Sequence, residues 1–136
     1  MNKEEFDNII EEAKEAKLLL EYNNNDRYNT LKTNMRLMYA HLLKYQLINH
    51  KCSSWRRTIL EQSGQMKEYK TVVWNKLTDI DISKTKLSGI DDFMKDNPKF
   101  DRSKVNYNII DTYFVNPIDF TNNIIINKFL KDFEER

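Results

Sequence analysis

The stretch that decides the fold is Met35-Arg36-Leu37-Met38-Tyr39-Ala40-His41-Leu42-Leu43-Lys44-Tyr45-Gln46-Leu47-Ile48. Most of its side chains are apolar, and they cover more than one face of a helix. A helix of that kind is normally surrounded by other helices. We therefore predict an all-α fold, a bundle of four to six helices around a central apolar helix at about residues 27–49. The principal buried stripe of that helix should consist of Leu31, Met35, Met38, Leu42 and Tyr45.

The composition is that of a compact helical protein without a strong electrostatic field. The 136 residues include only two glycines and two prolines, and so few breakers favour long helices over a β fold with many turns. We expect a single helical domain, residues 1–136. A formal net charge of +1 gives no overall attraction to nucleic acid or to a membrane surface. With no signal peptide and no apolar run of the ~20 residues that a membrane span requires, a cytoplasmic location is the expectation.

A first helix is predicted before the central one, at residues 3–22. Asn23-Asn24-Asn25 should end it, because asparagine tolerates the left-handed backbone of a helix stop, and Asp26 should cap the next helix. One face of this first helix is formed by side chains at spacings of three and four, namely Phe6, Ile9, Ile10, Ala13, Lys17 and Leu20.

A third helix should begin at a cap on Ser53 or Ser54 and extend as far as Leu77. A glycine within it costs about 1 kcal/mol relative to alanine, so a kink or a break is allowed near Ser63-Gly64. Residues 78–104 are the least regular part of the chain, with a strand-like alternation at residues 79–82 that has no obvious partner.

The C-terminal part of the chain should contain short helices separated by prolines. A capping box at Ser88 and Asp91 predicts one that ends near Asp96. Ser103 should cap another that continues through Phe114, and Asp119 should cap the last one. Phe129 and Phe133 lie on the last helix, where we expect them to belong to the core or to a partner surface.

Three runs of residues carry a resemblance to a known family. They are Asn8-Ile9-Ile10-Glu11-Glu12, Ala40-His41-Leu42-Leu43-Lys44-Tyr45-Gln46 and Ser53-Ser54-Trp55-Arg56-Arg57-Thr58-Ile59-Leu60-Glu61-Gln62. The chain in this way resembles domain-of-unknown-function family twenty-nine over about residues 8–70, although Tyr45 stands where that family has tryptophan. The resemblance implies a small bacterial all-helical bundle of unknown biochemical role, and it assigns no catalytic residue.

Arg36 and His41 are the catalytic candidates. Their spacing resembles the Arg-x4-His pattern of the HEPN ribonucleases, helical bundles in which both side chains act on RNA phosphate at a dimer interface. Leu37 replaces the polar residue that follows the arginine in those enzymes, and five positions along a helix separate two side chains by roughly 140°. The apolar surroundings of His41 favour a core histidine, hydrogen-bonded to Trp55 or to a backbone carbonyl, over a general base or a metal ligand.

The candidates for binding nucleic acid or another anion are Lys51, Trp55, Arg56 and Arg57. Arginine beside an aromatic ring can bind phosphate and stack a base. The alternative, which the pattern favours, is that Trp55 anchors the start of a helix while the arginines are solvated or pair with Glu61.

No metal site and no cofactor are predicted. A tetrahedral zinc site requires four ligands, or three and a water, and the spacing of His50 and Cys52 is too tight for the usual ligand pairs even if His41 joined them. Cys52 is the only cysteine, which excludes an internal disulfide. Four aspartates lack the glycine and the terminal glutamate of a calcium loop and should be solvated: Asp79, Asp81, Asp91 and Asp92.

Two functional classes are compatible with this sequence. The favoured one is a non-enzymatic protein-interaction or regulatory module that binds another protein or associates with itself, because no catalytic constellation is recognisable and aromatic residues typical of interfaces are frequent. The alternative is a HEPN-like ribonuclease or toxin-type effector that uses Arg36 and His41 on RNA. That alternative would have no site if His41 were fully buried away from any cleft. Passive nucleic-acid binding through Arg56 and Arg57 is a third, less favoured class.

Overall fold

The computed structural model describes residues 2–48, 52–106 and 108–134, which form helices and connecting turns with no strand among them. The predicted all-α bundle is confirmed. None of the described helices is long and apolar enough to cross a membrane. The helices are α1 (Lys3–Leu47), α2 (Ser53–Met66), α3 (Thr71–Trp74), α4 (Asp79–Asp96), α5 (Asn108–Tyr113) and α6 (Asn123–Asp132), with 3₁₀ turns at Arg102–Lys104 and Pro117–Thr121.

α1 is one helix of 45 residues, so the predicted stop at Asn23-Asn24-Asn25 is wrong. Asparagine is a poor helix former, but it costs no more than about 0.7 kcal/mol relative to alanine. No glycine or proline lies between Lys3 and Leu47. Asp26 lies inside the helix instead of capping it, and its backbone oxygen accepts a hydrogen bond from Thr30 Oγ1 at 3.0 Å. Propagation of a long helix therefore outweighs the three asparagines.

α2 ends at Met66, well before Leu77, and it continues without a break through Ser63-Gly64. Ser63 is fully buried, and its hydroxyl donates to the backbone oxygen of Phe120 at 2.7 Å. This tertiary hydrogen bond holds α2 at the position where the sequence allowed a break.

The least regular part of the sequence contains α4, a helix of 18 residues. Thr78 caps it in a capping box, with Thr78 Oγ1 accepting from the backbone N–H of Asp81 at 3.1 Å and the Asp81 carboxylate accepting from that of Thr78 at 3.4 Å. Residues 79–82 therefore form the first turn of a helix and no strand. The predicted end at Asp96 is confirmed, whereas the predicted capping box at Ser88 is wrong because that residue lies within the helix.

Three further caps predicted from the sequence are wrong, at Ser53 or Ser54, at Ser103 and at Asp119. In each case the helix or turn begins one to three residues away; Asp101 and Asn122 accept capping hydrogen bonds with their side chains, whereas Cys52 makes none. The N-cap residues are Cys52 for α2, Asp101 for the turn at Arg102–Lys104, and Asn122 for α6. α5 is accordingly shorter than the helix predicted from Ser103 to Phe114.

Residues 25–47 of α1 are the centre of the bundle, and the whole predicted stripe from Leu31 to Tyr45 is buried. α4 runs parallel to this segment: earlier residues of α1 contact the start of α4, and later residues of α1 contact later residues of α4. Tyr28 donates to the carboxylate of Asp81 near the start of α4, and Gly89 lies against Tyr39 further along. An added Cβ at Gly89 would be 2.7 Å from the Tyr39 Cβ, which shows how closely the two helices approach.

Aromatic side chains from α1, α5 and α6 complete the core. The ring of Phe129, which has no exposed surface, lies 5.2 Å from that of Tyr113 and 4.9 Å from that of Phe133, measured between centroids. Phe120 contacts Tyr39 edge to face at 5.1 Å. Phe129 and Phe133 are both buried, so both belong to the core.

Candidate functional site

The first part of α1, residues 2–18, is exposed along its whole length, and we call it the arm. The side chain of Asn2 caps it by accepting from the backbone N–H of Glu5 at 2.8 Å. Large apolar side chains stand in solvent on this arm, with exposed fractions of 54% for Phe6, 51% for Ile9 and 65% for Leu18. Apolar side chains clustered on the surface in this way are typical of a site of interaction.

Most of the apolar side chains of the arm continue the buried stripe of the bundle. At about 100° per residue, they lie within about 60° of the direction of Leu31, which is fully buried. Leu18 points about 140° away from Leu31 by the same rule, on the opposite side of the helix. The same face of α1 is therefore packed in one half and exposed in the other. The side chain of Leu20, predicted on this face, lies outside the described residues. We call the following set the arm stripe: Phe6, Ile9, Ile10, Ala13 and Ala16.

The arm is also acidic, in contrast with the remainder of the chain. Residues 2–18 contain three lysines and six aspartates or glutamates, a net charge of −3. The whole chain carries +1, so residues 19–136 carry +4. A surface that combines an apolar stripe with negative flanks favours partners with an apolar stripe and positive flanks.

Arg36, the first catalytic candidate, is held by Asp92 of α4 in a bidentate ion pair. Its Nε lies 2.6 Å from Oδ2 and its Nη2 lies 2.7 Å from Oδ1 of that carboxylate. The hydrogen bonds, with the opposite charges, raise the pKa of Arg36 and lower the pKa of Asp92. The guanidinium would have to leave this carboxylate before it could bind a phosphate.

His41, the second catalytic candidate, is half-buried and lines a cleft of about 410 Å³ between α1 and the end of α4. Burial, and after it the charge of Lys44, lower the pKa of His41, which keeps the imidazole neutral at pH 7. Lys95 and Asp92 line the same cleft. Arg36 lines a different one, of about 360 Å³. The two candidates therefore face separate clefts.

The basic cluster is described only in part, because Lys51 lies outside the described residues. Trp55 is half-buried, and its ring lies 4.4 Å from the ammonium nitrogen of Lys44, a cation–π contact that fastens the start of α2 to α1. Arg56 and Arg57 are exposed. Anion binding by this cluster stays a prediction.

No three histidine, cysteine, aspartate or glutamate side chains are grouped so as to hold a metal ion within residues 2–48, 52–106 and 108–134. His50, which the sequence brought into consideration as a ligand, lies outside those ranges. Of the four aspartates predicted to be solvated, Asp79 and Asp91 are exposed, whereas Asp81 and Asp92 are half-buried and pair with Tyr28 and Arg36.

An apolar groove at one end of the bundle was not predicted from the sequence. Lys76, which lies between two of the lining residues in the chain, donates from its ammonium group to Asn25 Oδ1 of α1 at 3.1 Å. No local pattern could have indicated this groove, since its two walls are about 40 residues apart in the chain. We call it the basal groove; it has a volume of about 300 Å³ and is lined by Trp74, Asn75, Leu77, Ile82, Asn116, Pro117 and Ile118.

The fold and these surfaces define an all-helical bundle that bears a helical arm. Comparison with known protein families, with curated proteins and with solved structures gives no match for this chain. The resemblance to domain-of-unknown-function family twenty-nine therefore stays a prediction.

Proposed function

We propose that this protein is a non-enzymatic protein-interaction module, cytoplasmic, whose binding surface is the arm. One observation carries the proposal: the arm stripe continues the buried stripe of α1 but lies in solvent. Covering such a stripe is favourable by about 25 cal/mol per Å² of apolar surface.

The energetics of an unpacked helical segment support the same proposal. Most helical stability in proteins comes from packing of an apolar face. The arm propagates from the packed part of α1 and so has no nucleation cost of its own, but it packs no face. A partner that covers Phe6, Ile9 and Ile10 would supply the missing packing.

The experiment is a pull-down from the native host with two variants. Each introduces one glutamate, and the two substituted positions lie on opposite sides of the arm. Ile9→Glu places a charge on the arm stripe, and Leu18→Glu places the same charge about 180° away on the same helix. We expect the Ile9→Glu variant to lose protein partners that wild type and Leu18→Glu retain. Equal recovery by all three proteins, with equal self-association, would refute the arm as the binding surface.

The alternative of a ribonuclease is supported by one observation, that His41 lines a cleft instead of being sealed in the core. The pairing of Arg36 with Asp92 argues against it. The same pull-down, repeated with and without nuclease, separates the two functions. RNA recovered by wild type and lost in both His41→Ala and Arg36→Ala would favour the ribonuclease.

A further inference from the structure

We propose that the cleft of about 360 Å³ between α1 and α4 binds a small phosphorylated polyol, of the sugar-phosphate class, and that Lys84 and Thr85 hold its phosphate group. We call it the polar cleft; it is lined by residues of α1 between positions 29 and 36 and by residues of α4 between positions 81 and 88. The polar cleft lies on the packed part of α1, away from the arm. The inference therefore goes beyond the proposed function and does not depend on it.

Two matched helix faces form the polar cleft, and every side chain that lines it is polar or charged. On each helix the lining residues occupy positions i, i+3, i+4 and i+7, counted from Asn29 in α1 and from Asp81 in α4. That spacing places all four side chains on one face of a helix. Because α4 runs parallel to α1, the two faces lie side by side. They offer a polar ligand a site that extends for roughly 10 Å, the rise of a helix over seven residues.

Thr85 supplies the observation that points to a ligand. It is only 7% exposed, and its hydroxyl has no hydrogen-bond partner among the described residues. Other helical threonines behave differently: Thr30, Thr33 and Thr58 each donate to the backbone oxygen four residues earlier. A buried hydroxyl that makes no hydrogen bond is unfavourable. Since Thr85 lines the polar cleft, an acceptor bound there, such as a phosphate oxygen, would satisfy it.

The charges of the polar cleft favour an anion at the same place. Lys32, Arg36 and Lys84 line it against the single carboxylate of Asp81, and Arg36 is paired with Asp92. Hydrogen bonds to Asp81, and after them the charge of Lys32, lower the pKa of that carboxyl, which is therefore ionised at neutral pH. Lys84 is exposed and takes part in none of the ion pairs found within residues 2–48, 52–106 and 108–134. Its ammonium group is thus free to bind a phosphate group.

The other end of the polar cleft favours hydroxyl groups on the same ligand. Asp81 lies about one helical turn before Lys84 and Thr85, roughly 5 Å along the axis. Its carboxylate would repel a phosphate group beside it, but it can accept a hydrogen bond from a ligand hydroxyl. Asn29 holds the equivalent position on α1, and its amide can donate or accept. A polyol with a phosphate at one end presents both kinds of group.

The first test is isothermal titration calorimetry of the full chain with glucose 6-phosphate, inorganic phosphate and glucose, each at up to about 10 mM. We expect saturable binding of glucose 6-phosphate at one site, weaker binding of inorganic phosphate, and no binding of glucose. Inorganic phosphate that binds as tightly as the ester would overturn the part assigned to the polyol. No binding of either phosphate would overturn the site.

The second test compares Lys84→Gln with Lys95→Gln. Each variant removes one positive charge from α4, but Lys95 lines the cleft of His41 instead. We expect the dissociation constant of glucose 6-phosphate to rise about tenfold in Lys84→Gln and less than about twofold in Lys95→Gln. Both lysines are exposed, so both variants should keep the near-UV circular dichroism of wild type. Equal weakening in the two variants would mean general attraction of charge and would overturn the site.

The third test is Thr85→Val, which removes the hydroxyl and nearly preserves the volume of the side chain. We expect binding of glucose 6-phosphate to weaken about tenfold, the effect of losing one hydrogen bond to a charged group. The unfolding temperature without ligand should not fall, because the lost hydroxyl had no protein partner. A hydroxyl with a purely structural role would give the reverse, a lower unfolding temperature with unchanged binding, and that result would overturn the assignment of Thr85.

Discussion

Residues 25–47 and residues 2–18 belong to the same helix and carry apolar side chains on the same face, yet only the first segment is packed. In the packed segment α4 and α2 cover the stripe, and Leu31, Met35, Met38 and Leu42 have no exposed surface. In the arm the equivalent face lies in solvent. Amphipathic periodicity thus specifies that a face is suited to burial, while the lengths of the neighbouring helices decide how far along α1 the chain itself supplies the cover.

The largest expected effect compares an alanine substitution in each segment. Leu42→Ala in the packed segment should lower the free energy of unfolding by about 2–5 kcal/mol, because it removes a fully buried side chain and leaves a cavity. Ile10→Ala in the arm should change it by no more than about 0.5 kcal/mol in dilute solution, where the arm is unpaired. Urea unfolding followed by circular dichroism measures both. A loss at Ile10 as large as that at Leu42 would mean that the arm packs on its own bundle.

The two glycines provide a second, smaller comparison of packed and open helix. Gly89→Ala should destabilise by about 1–3 kcal/mol, because its Cβ would lie 2.7 Å from the backbone oxygen of Arg36 and force α4 away from α1. Gly64→Ala meets no atom within 4 Å and should stabilise by about 1 kcal/mol through helix propensity. Thermal unfolding of the two variants should shift in opposite directions. A shift in the same direction would contradict the close approach of α1 and α4.

The smallest expected effect is a dependence of the free energy of unfolding on pH, which arises from a histidine in the packed segment, His41. Burial lowers the pKa of His41 in the folded protein, so between that pKa and the unfolded value near 6.5 the unfolded chain binds more protons. Stability from this group is therefore complete above about pH 6.5 and declines as the pH falls below it.

Urea unfolding at about pH 7.5 and about pH 5.5 checks this sign with His41→Gln as the comparison. Wild type should lose more stability than His41→Gln on acidification, while His50 is common to both proteins and cancels. An equal loss in the two proteins would show that burial of His41 does not oppose its protonation.

The packed segment could be predicted from the sequence because its signal is local and repeated. Every residue of the predicted stripe from Leu31 to Tyr45 is buried, and Phe129 and Phe133 belong to the core. The wrong predictions concern helix ends, where the competing free energies are about 1 kcal/mol or less. The free-energy cost of placing Asn23-Asn24-Asn25 in a helix is too small to end α1 there. The capping box of Thr78 and Asp81 was readable in the sequence, yet the strand-like alternation of the residues that follow concealed it.

The candidate site was much less predictable, because it depends on which faces the fold leaves uncovered. The 3.6-residue period of Phe6, Ile9 and Ile10 was visible, but nothing local indicated that the bundle ends before it reaches them. Arg36 and His41 were selected by their spacing in the sequence. Only the packing of α4 against α1 reveals that the guanidinium of Arg36 is paired with the carboxylate of Asp92. The basal groove joins Leu77 to Pro117, a pairing that no short pattern contains.

The parallel pairing of α1 with α4 has a consequence for synthesis on the ribosome. Tyr28 and Asp81 are 53 residues apart, and Arg36 and Asp92 are 56 residues apart. α1 is complete at Leu47, whereas α4 ends only at Asp96. At about 5–20 residues per second this difference corresponds to roughly 2–10 s of translation. During that interval the nascent chain exposes the apolar stripe of α1, because α4, which covers part of that stripe in the folded protein, has not yet been made.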